Sequence, residues 1–303
     1  MSSPVCVAIG NFIPASYASA FAIARAWARV YVSLMKLSLN TLACPAWSFG
    51  KIIDACRDNG ISGIDFRGIA SEIDITRLPL FNAEVYETLR VLGERKLSMP
   101  CFNTSVTLIT TDEKRWSEFL DETRRHAELA KLTRTRFLRV FGGTIPAELT
   151  RDQARDLGIR HLKQLGKVVA GSECQVLLET HDDWRTADQV LSLVGEFSPD
   201  EVGVLWDVEH PYRRGEQPAE TAERLQKYIR HVQVKDSIPG EHRAIPKLLG
   251  QGDLPLMETL NQLKRIGYTG WYALETEKRW AAEAPEPEES VPQFAEFMRQ
   301  HLS

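Results

Sequence analysis

From residue 36 onward the chain repeats one pattern eight times, a short apolar run followed by a longer amphipathic stretch. That repetition limits the fold more than any other feature. The runs KLSLNT (36–41), GIDFR (63–67), MPCFNTSV (99–106), RFLRVFGG (136–143), QVLLETH (175–181), VGVLWDVEH (202–210), HVQVKD (231–236) and WYALETE (271–277) read as strands. Helical periodicity falls near 49–59, 83–95, 113–131, 150–170, 186–196, 218–229, 254–266 and 291–302. Strands that alternate with helices pair in parallel, because the helix carries the chain back to the edge where the next strand starts. Eight units with no Pro- or Gly-rich linker between them predict one closed (β/α)8 barrel, a TIM barrel. An open, doubly wound sheet is the alternative, and the lack of a glycine-rich phosphate turn weighs against it.

In such a barrel the chemistry lies at the C-terminal ends of the strands. The last four runs carry Glu179, Asp207, Gln233 and Glu275 near those ends. Three carboxylates converging on one mouth repel one another and raise each other's pKa. A divalent cation removes that penalty. Strand side chains alternate, so His231, Gln233 and Lys235 share one face of HVQVKD, opposite Val232 and Val234. Those polar groups need partners, which places them in the barrel interior at increasing height. His231, lowest of the three, reads as a packed, hydrogen-bonded residue rather than a ligand. His181 lies two residues beyond Glu179 and nearer the mouth; His210 lies three beyond Asp207, where strand gives way to loop. Lys235 suits polarising a carbonyl or holding an oxyanion. Arg139 and Arg67 can reach the mouth, either as substrate clamps or as salt-bridge partners at the rim. Glu277 and Trp184 carry weaker signals.

The segments LLETH, WDVEHP, HVQVKDS and LETE, with GQGDLPLMETLNQLKRIGYTGWYALE, GIDFRG and FLRVFGG, resemble the xylose isomerase-like sugar phosphate isomerase/epimerase superfamily. That superfamily includes ketose 3-epimerases, inosose dehydratase and 3-dehydroshikimate dehydratase. The resemblance covers Met35–Ser303 and implies a single divalent ion held by Glu179, Asp207, Glu275 and the residue at position 233. Most relatives have histidine there, in HVHVKD. Gln233 either ligates through its amide oxygen, as the equivalent residue does in some dehydratase-type relatives, or has lost the contact. With glutamine the donors are all oxygen, which suits Mn²⁺ or Mg²⁺ better than Zn²⁺.

The resemblance further implies a reaction that begins by removing a proton next to a carbonyl. In the epimerases the two glutamates serve opposite faces of the substrate, which makes Glu179 and Glu275 the acid/base pair and puts His210 on substrate. In the dehydratases a histidine or lysine near the metal takes part, here His181, His210 or Lys235. The expected function is therefore a metal-dependent sugar or sugar-phosphate isomerase/epimerase. The alternative is a dehydratase or lyase acting on a keto-sugar, keto-cyclitol or oxidised glycoside. The implied partner is a small carbohydrate, with room for a homo-oligomer or a partner subunit. A binding barrel without catalysis should lack the carboxylates, and they are present.

The net charge of −4 and pI of about 6.0 argue against a nucleic-acid partner, which calls for a basic surface. Endonuclease IV shares the expected fold, but its three-zinc site needs many more histidines than this acidic chain supplies. The five cysteines are scattered, with no C-x-x-C pair, and read as small buried hydrophobes in a reducing compartment such as the cytoplasm. Residues 1–34 differ from the rest in having no acidic residue and only Arg25 and Arg29 as charges. Those charges follow the apolar run, unlike a secretory signal, and Asn11, Pro14, Ser16 and Ser19 dilute it below a membrane span. This segment is expected to be a leader outside the fold, with the barrel over 35–303. It fits a start assigned too early, with Met35 as the true beginning, or a peripheral or targeting helix.

Overall fold

The computed structural model describes residues 35–302, so the expectation for residues 1–34 lies outside the described residues. In chain order the strands are β1 (Lys36–Asn40), β2 (Gly63–Asp65), β3 (Cys101–Thr107), β4 (Phe137–Phe141), β5 (Gln175–Glu179), β6 (Val202–Asp207), β7 (Ile229–Val234), β8 (Asp236–Ile238), β9 (Ile245–Lys247) and β10 (Trp271–Leu274). All but β8 and β9 form one eight-stranded parallel sheet, ordered β2-β1-β10-β7-β6-β5-β4-β3. Between its end strands the pairing thins to the bridges Gly63↔Ser98 and Phe66↔Phe102. There Phe66 N donates to Cys101 O (3.2 Å) and Asn103 N to Phe66 O (2.9 Å), so the barrel is nearly closed.

The helices are α1 (Phe49–Asp58), α2 (Val85–Glu94), α3 (Glu113–Thr133), α4 (Arg151–Val169), α5 (Ala187–Val194), α6 (Glu209–Tyr212), α7 (Pro218–Leu225), α8 (Leu256–Arg265) and α9 (Pro287–Leu302). Their starts are set by side chains that satisfy the free N–H groups of the first turn. Ser48 accepts from Lys51 N and Asp112 from Arg115 N. Thr150 and Gln153 form a reciprocal capping box at α4.

Strand alternation divides the buried residues into two populations. Leu37, Leu39, Ile64, Phe102, Leu138, Val176, Val204, Trp206 and Val232 belong to the main core, between sheet and helices. The opposite parity faces the barrel axis. There Cys101, Leu177 and Leu205 form a small separate apolar cluster. Most of the other inward positions are polar and buried: Ser38, Asn40, Asp65, Asn103, Arg139, Glu179, Asp207, His231, Gln233 and Glu275. An axis this polar needs internal partners throughout, and it is where the site is built.

Several strands end earlier than the apolar runs predict. His181 and Glu277 lie in loops beyond β5 and β10, and His210 lies in α6 beyond β6. At β6 the cause is local, since Asp207 Oδ1 accepts from Glu209 N at 2.9 Å and turns the chain into α6. Between HVQVKD and the helix near 254–266 the sequence pattern predicts no element. There the chain forms the antiparallel hairpin β8–β9 at the mouth, paired Asp236↔Lys247 and Ile238↔Ile245. Cys44, Cys56, Cys101 and Cys174 are free and buried; Cys6 lies outside the described residues. Among the described residues no helix is long and apolar enough to cross a membrane.

Candidate active site at the barrel mouth

β5, β6, β7 and β10 bring Glu179, Asp207, Gln233 and Glu275 to one end of the barrel, each at most 3% exposed. One carboxylate oxygen from each of Glu179, Asp207 and Glu275 lies within 4.8 Å of the others. Burial raises all three acids above the usual carboxylate range. Asp207 rises to about 6 and Glu275 to about 7, with Lys235 pulling each back. Glu179 rises by burial, opposed first by Arg139.

Two cations and three amides share this cluster. Arg139 Nε lies 3.0 Å from Glu179 Oε2 and donates to Asn103 Oδ1 (3.1 Å), while Nη1 donates to Thr104 O (2.9 Å). Lys235 Nζ lies 2.8 Å from Asp207 Oδ2, 2.9 Å from Glu275 Oε2 and 2.9 Å from Glu277 Oε1. Burial opposes the charge on Lys235, but Asp207, Glu275 and Glu277 outweigh it and hold the ammonium well above its ordinary value. Gln233 Nε2 donates to Glu275 Oε1 at 2.9 Å, and Asn40 Nδ2 approaches the same oxygen at 3.4 Å.

The expected histidines sit beside this cluster. His210 Nε2 is 3.7 Å from Asp207 Oδ2, and its ring meets that of His181 edge-on at 4.5 Å. His181 Nδ1 is 2.9 Å from Asp182 Oδ1. Burial, reinforced by Lys235, pushes His210 well below its ordinary pKa. Burial also opposes charge on His181, but Asp182 and Glu179 overcome it and lift that ring to about 9. Glu179, His181 and His210 form a second group whose candidate donor atoms lie within 4.8 Å of one another. Arg67 donates from Nη2 to Ser105 Oγ (3.1 Å), and its Nη1 has no hydrogen-bond partner among the described residues. Burial, then Arg139, lowers Arg67 to about 9. His231 donates to or accepts from Asp65 Oδ2 at 2.5 Å within the axis.

Whether these residues fit a metal ion can be judged from what lacks a partner. Gln233 Oε1 is fully buried and accepts no hydrogen bond among the described residues. Glu179 Oε2, Asp207 Oδ2 and Glu275 Oε2 touch cations but accept no hydrogen bond of good geometry. Among the groups in mutual contact, the four carboxylates Glu179, Asp207, Glu275 and Glu277 share the cations Arg139 and Lys235. This oxygen donor set fits a divalent cation bound by oxygen.

Sequence reasoning gave Glu277 little weight and did not single out Arg185, Asn40 or Asn103. Glu277 belongs to the Lys235 cluster through a loop residue in the left-handed region (φ 51°), and Asp182 beside His181 is another (φ 52°). Such turns carry no periodic signal. Trp184 packs fully buried, where a Cβ on Gly142 would strike its ring.

Fold and site together define a parallel (β/α)8 barrel with an acidic, cation-ready mouth. The model of the family described as "xylose isomerase-like TIM barrel" matches residues 53–301, and the chain belongs to that family. Over 210 residues the chain is 23% identical to 3-dehydroshikimate dehydratase of Bacillus anthracis, covering 67% of this chain and 72% of that one. Two solved structures share the fold. The IOLI protein with a bound zinc atom superposes with a TM-score of 0.74 at 17% identity, covering 89% of this chain and 98% of that one. A D-tagatose 3-epimerase-like protein superposes with a TM-score of 0.71 at 17% identity, covering 88% and 97%. The named relatives thus include enzymes of two kinds, dehydratases and epimerases.

Proposed function

We propose that this protein is a divalent-metal-dependent enzyme that removes a proton next to the carbonyl of a small polyhydroxylated substrate, with loss of water as the completing step. The observation that carries the choice of dehydration is the state of Glu275. Gln233 Nε2 donates to one of its oxygens and Lys235 Nζ contacts the other. A glutamate held at both oxygens is poorly placed to collect a carbon-bound proton. His210 Nε2, in contrast, is buried and without a hydrogen-bond partner at the mouth. We assign His210 as the proton-transferring group and Lys235 as the donor that steadies developing negative charge. In elimination the base takes the carbon-bound proton, the carbon–oxygen bond breaks, and the departing hydroxyl collects a proton to leave as water.

Glu179, Asp207, Gln233 and Glu275 would hold the ion, whose contribution when bound is positive charge against the oxyanion side of the substrate. The all-oxygen donor set supports Mn²⁺ or Mg²⁺ over Zn²⁺ in this chain. Arg139 fixes Glu179, the unpartnered Nη1 of Arg67 supports a clamp on substrate, and the place of His181 beside Glu179 supports a role in holding substrate. Four buried, unpaired thiols support a reducing compartment, in keeping with the cytoplasm.

Epimerisation is the second reading. Glu179 supports it, since its Oε2 contacts Arg139 without a hydrogen bond and one glutamate remains available for proton transfer. The experiment is deuterium uptake from solvent with Mn²⁺ present, across ketoses, inososes, 3-keto sugars and hydroxylated cyclic keto acids. On the dehydration reading His210→Ala loses ~10²–10⁴-fold in exchange while Glu275→Gln mainly weakens metal binding. Full exchange in His210→Ala, with loss in both Glu179→Gln and Glu275→Gln, would establish the two-glutamate epimerase instead.

A further inference from the structure

We infer that Arg185 and the cavity beside it form a subsite for an anionic group on the substrate, a carboxylate or a phosphate. The inference rests on the proposed function, because the cavity opens from that site. It measures about 440 Å³, and Arg185, His210, Lys235 and Glu277 share its walls. A space of this order suits a small ligand rather than a polymer.

Most charges on that wall are already matched; among the described residues Arg185 and the carboxylate of Glu241 are the exceptions. Lys235 is shared among Asp207, Glu275 and Glu277. Arg213 Nη2 contacts Asp253 (2.7 Å) and donates to Ser237 O (3.0 Å), and its Nε meets Glu209 at 3.3 Å. Arg243 pairs with Glu283 at 2.8 Å. Asp236, an acid of the same wall, accepts backbone N–H groups from Ser237, Gly250, Gly252 and Leu254. The Arg185 guanidinium has no hydrogen bond, ion pair or ring contact among the described residues, and its Nε is sealed from solvent without a partner.

Arg185 is nonetheless fixed at its backbone. Its N–H donates to Gln189 Oε1 at 3.0 Å, and the preceding Trp184 is fully buried. The chain therefore holds a half-buried guanidinium at the edge of the cavity, its Nε desolvated and without a hydrogen bond, with Asp182 as the acid that acts on it electrostatically. Its planar fork of donors matches the two or three oxygens of a carboxylate or phosphate. A substrate bearing such a group next to its polyol portion would place the reactive carbons toward His210 and the carboxylate cluster.

The test uses chelator-treated full-length protein, so that an anion cannot bind through a metal. Inorganic phosphate, cyclohexanecarboxylate and neutral cyclohexanol are titrated calorimetrically into wild type, Arg185→Met and Arg185→Lys, with circular dichroism confirming the fold. The expected result is that at least one anion binds better than cyclohexanol, that Arg185→Met loses about tenfold or more, and that Arg185→Lys retains part. Whichever anion binds identifies the substrate group as phosphate or carboxylate. Anion binding no tighter than that of cyclohexanol, or undiminished in both variants, overturns the subsite. Mn²⁺ titrated into the same samples is expected to bind Arg185→Met as it binds wild type. Absence of Mn²⁺ binding beside intact anion binding would overturn the metal reading alone.

Discussion

Gln233 has two ends that face different chemistry. Its Nε2 donates to Glu275 Oε1 at 2.9 Å, while Oε1 is buried and accepts nothing. Reversing the amide would set its oxygen against a carboxylate oxygen, so the orientation follows from charge. A buried carbonyl oxygen without a donor is destabilising unless a cation or donor meets it. Gln233→Leu removes both the candidate ligand and the donor that orients Glu275, and is expected to weaken Mn²⁺ binding about 10–100-fold. Gln233→His substitutes a nitrogen donor and should raise Zn²⁺ affinity relative to Mn²⁺. Competitive metal titrations check both. A Zn²⁺/Mn²⁺ ratio unchanged in the histidine variant would remove Gln233 from the donor set. At this scale strand alternation made much legible, placing His231, Gln233 and Lys235 on the inner face. Arg185 and Glu277 were not legible in the same way, because their positions depend on loop turns rather than on a period.

At the scale of elements, the β8–β9 hairpin is what the strand-helix rhythm did not announce. Its strands have three residues each and include Pro246, so they present no recognisable alternation. Their order comes from Asp236, whose carboxylate gathers the N–H groups of Ser237, Gly250, Gly252 and Leu254. This gives a physical reason for the GQGD stretch. A Cβ at position 252 would collide with the Asp236 carboxylate and come within 2.5 Å of Ser237 O. Neither can yield freely, because Asp236 accepts from Gly252 N and Ser237 O accepts from Asp253 N in the same turn. Gly252→Ala is expected to destabilise the protein by about 1–3 kcal/mol, read from urea unfolding. It should also loosen the cavity wall that includes Asp236 and Ser237. Wild-type stability in that variant would show that the turn is not held as described. The expected helices were found at or close to their predicted positions, since each has a long apolar face and several have capping side chains.

At the scale of the whole molecule, one alternation serves two purposes. Outward-facing side chains bury against helices and supply the apolar stabilisation of the barrel. Inward-facing ones are largely polar, and toward the mouth they become charged. Burying ions is strongly unfavourable unless they are paired, and here four carboxylates share two cations. Lys235 meets three of the four carboxylates, and Arg139 meets the fourth. The barrel was legible from the eightfold repeat, and the acidic mouth from the ends of four runs. The Lys235–Glu277 contact was not, because it joins β7 to a loop beyond β10 that no local pattern links to it. The central claim is that this mouth is built to hold a divalent cation, and a calorimetric titration of Mn²⁺ into chelator-treated full-length protein tests it most directly. One ion should bind per chain, and binding should be lost in Asp207→Ala. No binding in the wild type, or undiminished binding in Asp207→Ala, would contradict it.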